Sequence, residues 1–435
     1  MPLGHLARLF EEHLGGDGEE LGGVRSAVVV EQRARAAIGR LGQRLELAAL
    51  DPTGDVVTFQ KSCLALSRSV VAGQFAWDFF RDKLELRRST YKEQLWTADT
   101  VAWDCHRPVL QAAADAGVLG QDEMREPPLV YLGTGYSPLT WVRRSRPNDG
   151  RRYDLGESTV PIPVIEIPWD HLGNGWELMS LHHEVGHDIE ADLGLRKPLQ
   201  TALAAKLQGG GVPAARVSTW LAWQGEVFAD LCALQLGGPA FTEALMHLLL
   251  LPPVDVTTLD ENDPHPTPWI RILINTGYLG SMLPAHAPLV THATEMADSW
   301  KALYGTPTGF EGYLYDCPLV CEALMDTSLQ ELKGRTVRSF MPYTVADDLR
   351  VREAAGYFAT GQNKPVGLPP RHCVAAGRLA VKALAAAGAV SSAAYDSVQK
   401  RIISMVKQGA APGVRGTKSD EHDRFVAGFV KGMLE

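Results

Sequence analysis

The chain has 435 residues, more than a single hydrophobic core usually serves, so two or three domains are expected. Hydrophobic residues make up 45% and charged residues 21%, which excludes a disordered or fibrous class and leaves an ordinary globular protein. A formal net charge of -9 argues against a nucleic-acid partner, because such proteins need clustered Lys and Arg to displace counterions.

The first residues, Pro2 to Glu12, carry His5, Arg8, Glu11 and Glu12 where a secretory signal needs an apolar stretch. The most apolar run, Ala244 to Val254, is broken by His247, Pro252 and Pro253 and falls short of the roughly 18 apolar residues that cross a bilayer. Six cysteines are too sparse for a disulfide scaffold and suit a reducing compartment. These features predict a soluble cytoplasmic protein with no membrane span and with free, buried thiols.

In chain order, Leu6 to about Gly117 reads as several helices, with turns at Gly15-Gly16-Asp17-Gly18 and Asp51-Pro52-Thr53-Gly54, giving a helical N-terminal region over 1–125. A small sheet follows from β-prone runs at Leu129 to Leu132, Leu139 to Val142 and Val160 to Ile167. Pro161 and Pro163 cannot donate to a ladder, so the third run is expected at a sheet edge, where an extended peptide could pair. A helix over about Gly175 to Leu193 has Leu178, Leu181, Val185 and Ile189 on one stripe and is closed by Gly194 and Pro198. A second helix runs from about Arg216 to Leu236 and stops at Gly237-Gly238. Both belong to a core over 126–310. Helical texture returns over 311–435, interrupted by polar loops at Gly361 to Pro370 and Ala411 to Asp420. The expected fold class is α+β, mainly helical, with a small sheet between helical flanks.

The chemistry is concentrated in His183-Glu184-Val185-Gly186-His187 on the first of these helices. Histidines four residues apart stand one above the other, so both imidazoles reach one metal ion while the apolar stripe faces the other way. Glu184 is turned about 100° from His183, able to act on water at the metal as a general base without ligating the ion. His182 is turned away by a similar angle and reads as a polar helix residue. On the second helix Glu226 and Asp230 again share a face; they either form a solvated acidic surface or serve the same site. A catalytic zinc takes three protein ligands and keeps an open position, so Glu226 would complete the set with His183 and His187, and Asp230 would orient one imidazole. Cys317-Pro318-Leu319-Val320-Cys321 has no second ligand pair and reads as a core helix, Gly133-Thr134-Gly135 and Gly209-Gly210-Gly211 as turns, and Trp220, Trp223 and Trp269 as packing.

The two helical motifs resemble those of gluzincin metallopeptidases, and a third segment narrows the likeness. His265-Pro266-Thr267-Pro268-Trp269-Ile270-Arg271-Ile272 is similar to the His-Pro segment, followed by Arg-Ile, that lies downstream of the Glu-x-x-x-Asp helix in the family of CAAX prenyl proteases and HtpX heat-shock proteases. The resemblance covers roughly Val160 to Tyr278, about a quarter of the chain. It implies a zincin-like core in which His265 or Arg271 positions groups or stabilises the oxyanion, a role also open to Tyr278. Familiar members carry hydrophobic membrane helices and this sequence has none, so a soluble branch is implied.

The resulting expectation is zinc-dependent hydrolysis of a peptide or protein substrate, with Glu184 as general base. Two alternatives accompany it: a zinc-containing binding or regulatory protein that does not hydrolyse, and a peptidase gated by helical flanks that could receive a regulatory partner.

Overall fold

The computed structural model describes residues 86–120, 125–145, 160 and 162–409, apart from 262 and 363–366, together with the single positions 60, 64 and 83. The helices expected between Leu6 and residue 85, their two turns, the Ala411 to Asp420 loop and Cys63 lie outside the described residues. By contact the chain divides into two units. One comprises Met1–Lys92, Trp141–Pro163 and Ala411–Glu435; the other comprises Glu93–Thr140 and Val164–Ala410. In the first, the Arg144 amide donates to the Val160 carbonyl at 2.8 Å and the Val160 amide donates to the Ser145 carbonyl at 3.0 Å. The second is mainly helical with a three-stranded sheet, and it carries every motif singled out in the sequence.

From Glu93 onward α1 (Lys92–Asp115) belongs to the second unit, and its Leu95, Ala98, Val101, Ala102, Cys105 and Leu110 are fully buried. Strands β1 (Leu129–Gly133), β2 (Leu139–Trp141) and β3 (Val164–Pro168) form a sheet in the order β1-β3-β2. β1 and β3 are parallel, with Leu129 opposite Val164 and Gly133 opposite Pro168. This corrects the expected edge strand: β3 is central and buried along its whole length. The physical reason is where the strand begins. Pairing starts at Val164, after Pro161 and Pro163, so neither proline removes a donor from the ladder. Both sides of β3 are therefore taken, and β1 and β2 form the edges.

A 3-10 turn (Gly175–Met179) leads into α2 (Ser180–Asp192), which carries the His-Glu-x-x-His motif. The stripe is as expected, with Leu178, Leu181, Val185 and Ile189 all buried, and α2 stops before Gly194, whose φ of 65° is the left-handed conformation glycine takes without strain. Pro198 does not merely follow that stop. It lies in the first turn of a further helix, α3 (Arg196–Gly209), absent from the sequence reading, at a position where a missing amide costs no helical hydrogen bond. Next comes α4 (Ala214–Gly237), which bears Glu226 and Asp230 and ends at Gly238, with φ of 62°. α5 (Pro239–Leu248), α6 (Pro253–Thr257), α7 (Pro268–Met282) and α8 (Ala287–Tyr304) each carry proline in the first two positions, where its fixed φ helps start a helix. α9 (Glu311–Met325), α10 (Val345–Thr360), α11 (Pro370–Ala386) and α12 (Ser392–Gly409) complete the unit; Thr344 and Asp347 form a reciprocal capping box at the start of α10. Cys105, Cys232, Cys317, Cys321 and Cys373 are free and buried. Among the described residues no helix is long and apolar enough to cross a membrane.

One close approach sets the relation of α2 to α4. A methyl group at Gly186 would lie 2.9 Å from the Ala229 Cα, 3.1 Å from its carbonyl oxygen and 3.2 Å from the Cys232 Cβ. Gly186 stands between His183 and His187, and Ala229 between Glu226 and Asp230, so this close approach of the two helices falls within both motifs. Backbone cannot swing aside as a side chain can. Gly186→Ala should therefore force the helices apart and destabilise the protein by about 1–3 kcal/mol, measured by denaturant unfolding; unchanged stability would show that the helices do not meet this closely.

Candidate metal centre

The first turns of α2 and the middle of α4 bring three side chains together. His183 Nε2 and His187 Nε2 are 3.2 Å apart. Glu226 reaches across from α4, with Oε2 3.2 Å from His183 Nε2 and Oε1 3.5 Å from His187 Nε2. One ligand atom from each residue lies within 4.8 Å of the others, a cluster able to hold a metal ion. Glu226 Oε2 is buried, yet no well-formed hydrogen bond reaches it despite its nitrogen neighbours. A cation would satisfy that oxygen and relieve the crowding of the imidazole nitrogens, so two imidazoles and a carboxylate fit a divalent metal.

Around the cluster the remaining polar groups serve to aim it. Asp230, one turn beyond Glu226, lies with Oδ1 2.7 Å from His183 Nδ1, which leaves Nε2 of that ring facing the cluster. Asp230 is fully buried and is itself held by α7: Arg271 donates Nε to Oδ2 at 2.7 Å and Nη2 to Oδ1 at 2.8 Å, and Asn275 donates Nδ2 to Oδ2 at 3.0 Å. A two-pronged guanidinium contact restricts both position and rotation of the carboxylate. Phe241 of α5 stacks on the His183 ring, centroids 6.3 Å apart and planes 9° from parallel.

The electrostatics separate groups that look alike in the sequence. Burial works against a charged His183, but the contact with Asp230 and the negative charges of Asp230 and Glu226 outweigh it and raise its pKa to about 10. His187 is lowered to about 3, by burial and then by the His183 charge. Burial alone would raise Glu226 and Asp230, yet His183 and Arg271 hold both well below the usual carboxylate range. Glu184 goes the other way: burial and the neighbouring carboxylates push it up to about 7, against the pull of His183 and Arg271. No described residue hydrogen-bonds to its carboxylate, although the residue as a whole is buried. An unbonded, buried acid with a pKa near neutrality is suited to moving a proton.

The other expected residues divide. His265, in the segment before α7, reaches Glu226 Oε2 with Nε2 at 3.3 Å, although its side chain is 51% exposed. Arg271 joins the site, with Nε and Nη2 both committed to Asp230. Tyr278 does not. Its hydroxyl accepts a hydrogen bond from Gln235 Nε2 at 2.7 Å and Arg338 lies 5.2 Å from its ring centre, so it faces other contacts seven residues further along α7. His182 is buried beside Gly237 and stands outside the cluster, and the three tryptophans are fully buried packing. Asn275 was not among the expected residues; its place one turn after Arg271 was the available signal. Comparisons with protein-family models, with curated proteins and with solved structures find no match, so the resemblance rests on the motif residues themselves.

Metal ligation requires an unprotonated Nε2, and His183 carries its proton at neutral pH when the cluster is metal-free. Titrating zinc into metal-free protein at pH 7, in buffers of different ionisation heat, should release roughly one proton per ion. Binding with no proton released would contradict the charged His183. Asp230→Asn removes the charge that steadies His183 and should weaken metal binding about 10- to 100-fold in a competition titration.

Proposed function

We propose that this chain is a zinc-dependent metallopeptidase of the gluzincin type, with His183, His187 and Glu226 as ligands on a zincin-like core. The observation that carries the reading is Glu184: a mostly buried residue whose carboxylate has no hydrogen-bond partner among the described residues, one residue from a ligand and electrically coupled to the cluster. Holding an acid in that condition costs stability, and a metal site with no chemistry to perform has no use for it. The same reasoning weighs against a binding or regulatory protein that holds zinc without hydrolysis.

A zinc ion held by His183, His187 and Glu226 would supply a Lewis acid and lower the pKa of water from about 15.7 towards about 7. Glu184 would take the proton of a water attacking a peptide carbonyl and would return it to the departing amine nitrogen. His265 Nε2, on the exposed side of Glu226, is placed to meet the charge that develops on the carbonyl oxygen, a contact worth about 3 kcal/mol in comparable sites. Asp230, Arg271 and Asn275 do not meet the substrate; they keep His183 in register. Since β3 is paired on both sides, a substrate backbone that adds to this sheet does so at β1 or β2.

Wild type and Glu184→Gln, analysed for metal and incubated with a mixed peptide library read by mass spectrometry, test the reading. Both should hold about one zinc per chain. Cleavage should fall by about 10²- to 10⁴-fold in the variant and stop in wild type on chelation. Zinc in both proteins with no cleavage by either, even after limited proteolysis to release a gating segment, would overturn the peptidase in favour of the binding protein.

A further inference from the structure

His265 is an unusual residue to find held still. Half exposed and between two prolines, it belongs to a short irregular segment ahead of α7, where a histidine would ordinarily rotate freely in water. Three restraints act on it instead. Pro264 and Pro266 limit their own φ angles and exclude the helical region for the residues before them, so the backbone from Asp263 to Pro266 has few conformations to lose. Asp263 Oδ1 accepts the His265 backbone amide at 2.8 Å and lies 3.0 Å from the ring Nδ1. One carboxylate oxygen thus fixes both the turn and the side chain it presents. Lastly, the buried Trp223 donates its indole N–H to the Asp263 carbonyl at 3.0 Å.

Trp223 matters because of where it stands. It lies on α4 three residues before Glu226, and it is locked there against Trp220 and Tyr313, with ring centres 5.4 and 5.5 Å away. The loop is therefore pinned to the helix that supplies Glu226, and the span from the pin to the metal ligand is one rigid turn. A carboxylate oxygen near Nδ1 requires a ring hydrogen on that nitrogen, since two acceptors would repel. By the same rule Nε2, turned to Glu226 Oε2 at 3.3 Å, presents an N–H as well, the donor an oxyanion needs.

We propose that Asp263 and Trp223 are positioning residues that hold the His265 imidazole in one orientation over Glu226, so that the group meeting the substrate is set before substrate arrives. The claim rests on the peptidase reading for its kinetic consequence, and on the loop contacts alone for its structural one. Binding energy then need not be spent on ordering the loop, and misplacement by about an ångström is the kind of error that costs a reaction on the order of a hundredfold.

The test uses the zinc-loaded full chain. Asp263 is itself half exposed, so its variants should fold and keep their zinc. With ¹⁵N-labelled histidine, and His265→Ala to assign the signal, wild type should show His265 protonated at Nδ1; Asp263→Ala should lose that preference and Asp263→Asn, which keeps an acceptor oxygen, should retain part of it. On a cleaved peptide, kcat should fall roughly 10- to 100-fold in Asp263→Ala and less in Asp263→Asn, with KM moving less than about twofold, and Asp263→Ala should have no further effect in a His265→Ala background. An unchanged ring signal in Asp263→Ala, or losses that simply multiply in the double variant, would overturn the proposal. Should wild type cleave no peptide, the peptidase reading fails while the ring signal still decides whether Asp263 holds His265.

Discussion

A carboxylate shut away from water must find donors within the protein, and Asp230 finds them on two other helices. His183 comes from α2, Arg271 and Asn275 from α7, and all of them meet on one side chain of α4. Stranding such a charge by removing a partner typically costs 3–5 kcal/mol, so the three helices are held to one arrangement. That arrangement orients the His183 ring, and the orientation of that ring turns its Nε2 to His187 and Glu226. The close passage of Gly186 over Ala229 is what brings α2 and α4 near enough for both Glu226 and Asp230 to reach across. Backbone geometry thus comes first, the buried ion pair second, and the candidate metal cluster third.

Within this frame three acids in close quarters acquire different characters from their surroundings. Asp230 faces a guanidinium on both oxygens and stays ionised. Glu226 is flanked by imidazoles and also stays ionised, as a carboxylate must be to hold a metal ion. Glu184 is buried without a donor and is raised to about 7. A group that gives up and recovers a proton near neutral pH has to differ from its neighbours in this way, and the difference is produced by contacts each residue makes outside its own helix.

That is also why the sequence disclosed some features and concealed others. The pairs His183/His187 and Glu226/Asp230 follow from helical periodicity, which is local, and the apolar stripe of α2 belongs to the same short-range pattern. The stop signals at Gly194 and Gly238 were legible for the same reason. Pro161 and Pro163 misled because a proline near a strand and a proline within one look alike until the first paired residue is known, and Pro198 concealed α3 by standing where a proline can either follow one helix or open the next. Asn275 and Tyr278 sit four and seven residues after Arg271 on one helix, yet only the first reaches Asp230; which turn of α7 meets the site depends on how α7 packs against α4, a long-range matter. The contribution of Trp223 to the loop of His265 is likewise hidden, since an indole N–H bonded to a carbonyl 40 residues away leaves no local pattern.

The measurement that bears most directly on this account is zinc-edge X-ray absorption on the purified full chain. The expected result is about one zinc per chain, surrounded by two imidazole nitrogens and oxygen donors at roughly 2.0–2.2 Å. An absence of bound zinc, or sulfur at about 2.3 Å in place of those donors, would contradict a centre built from His183, His187 and Glu226.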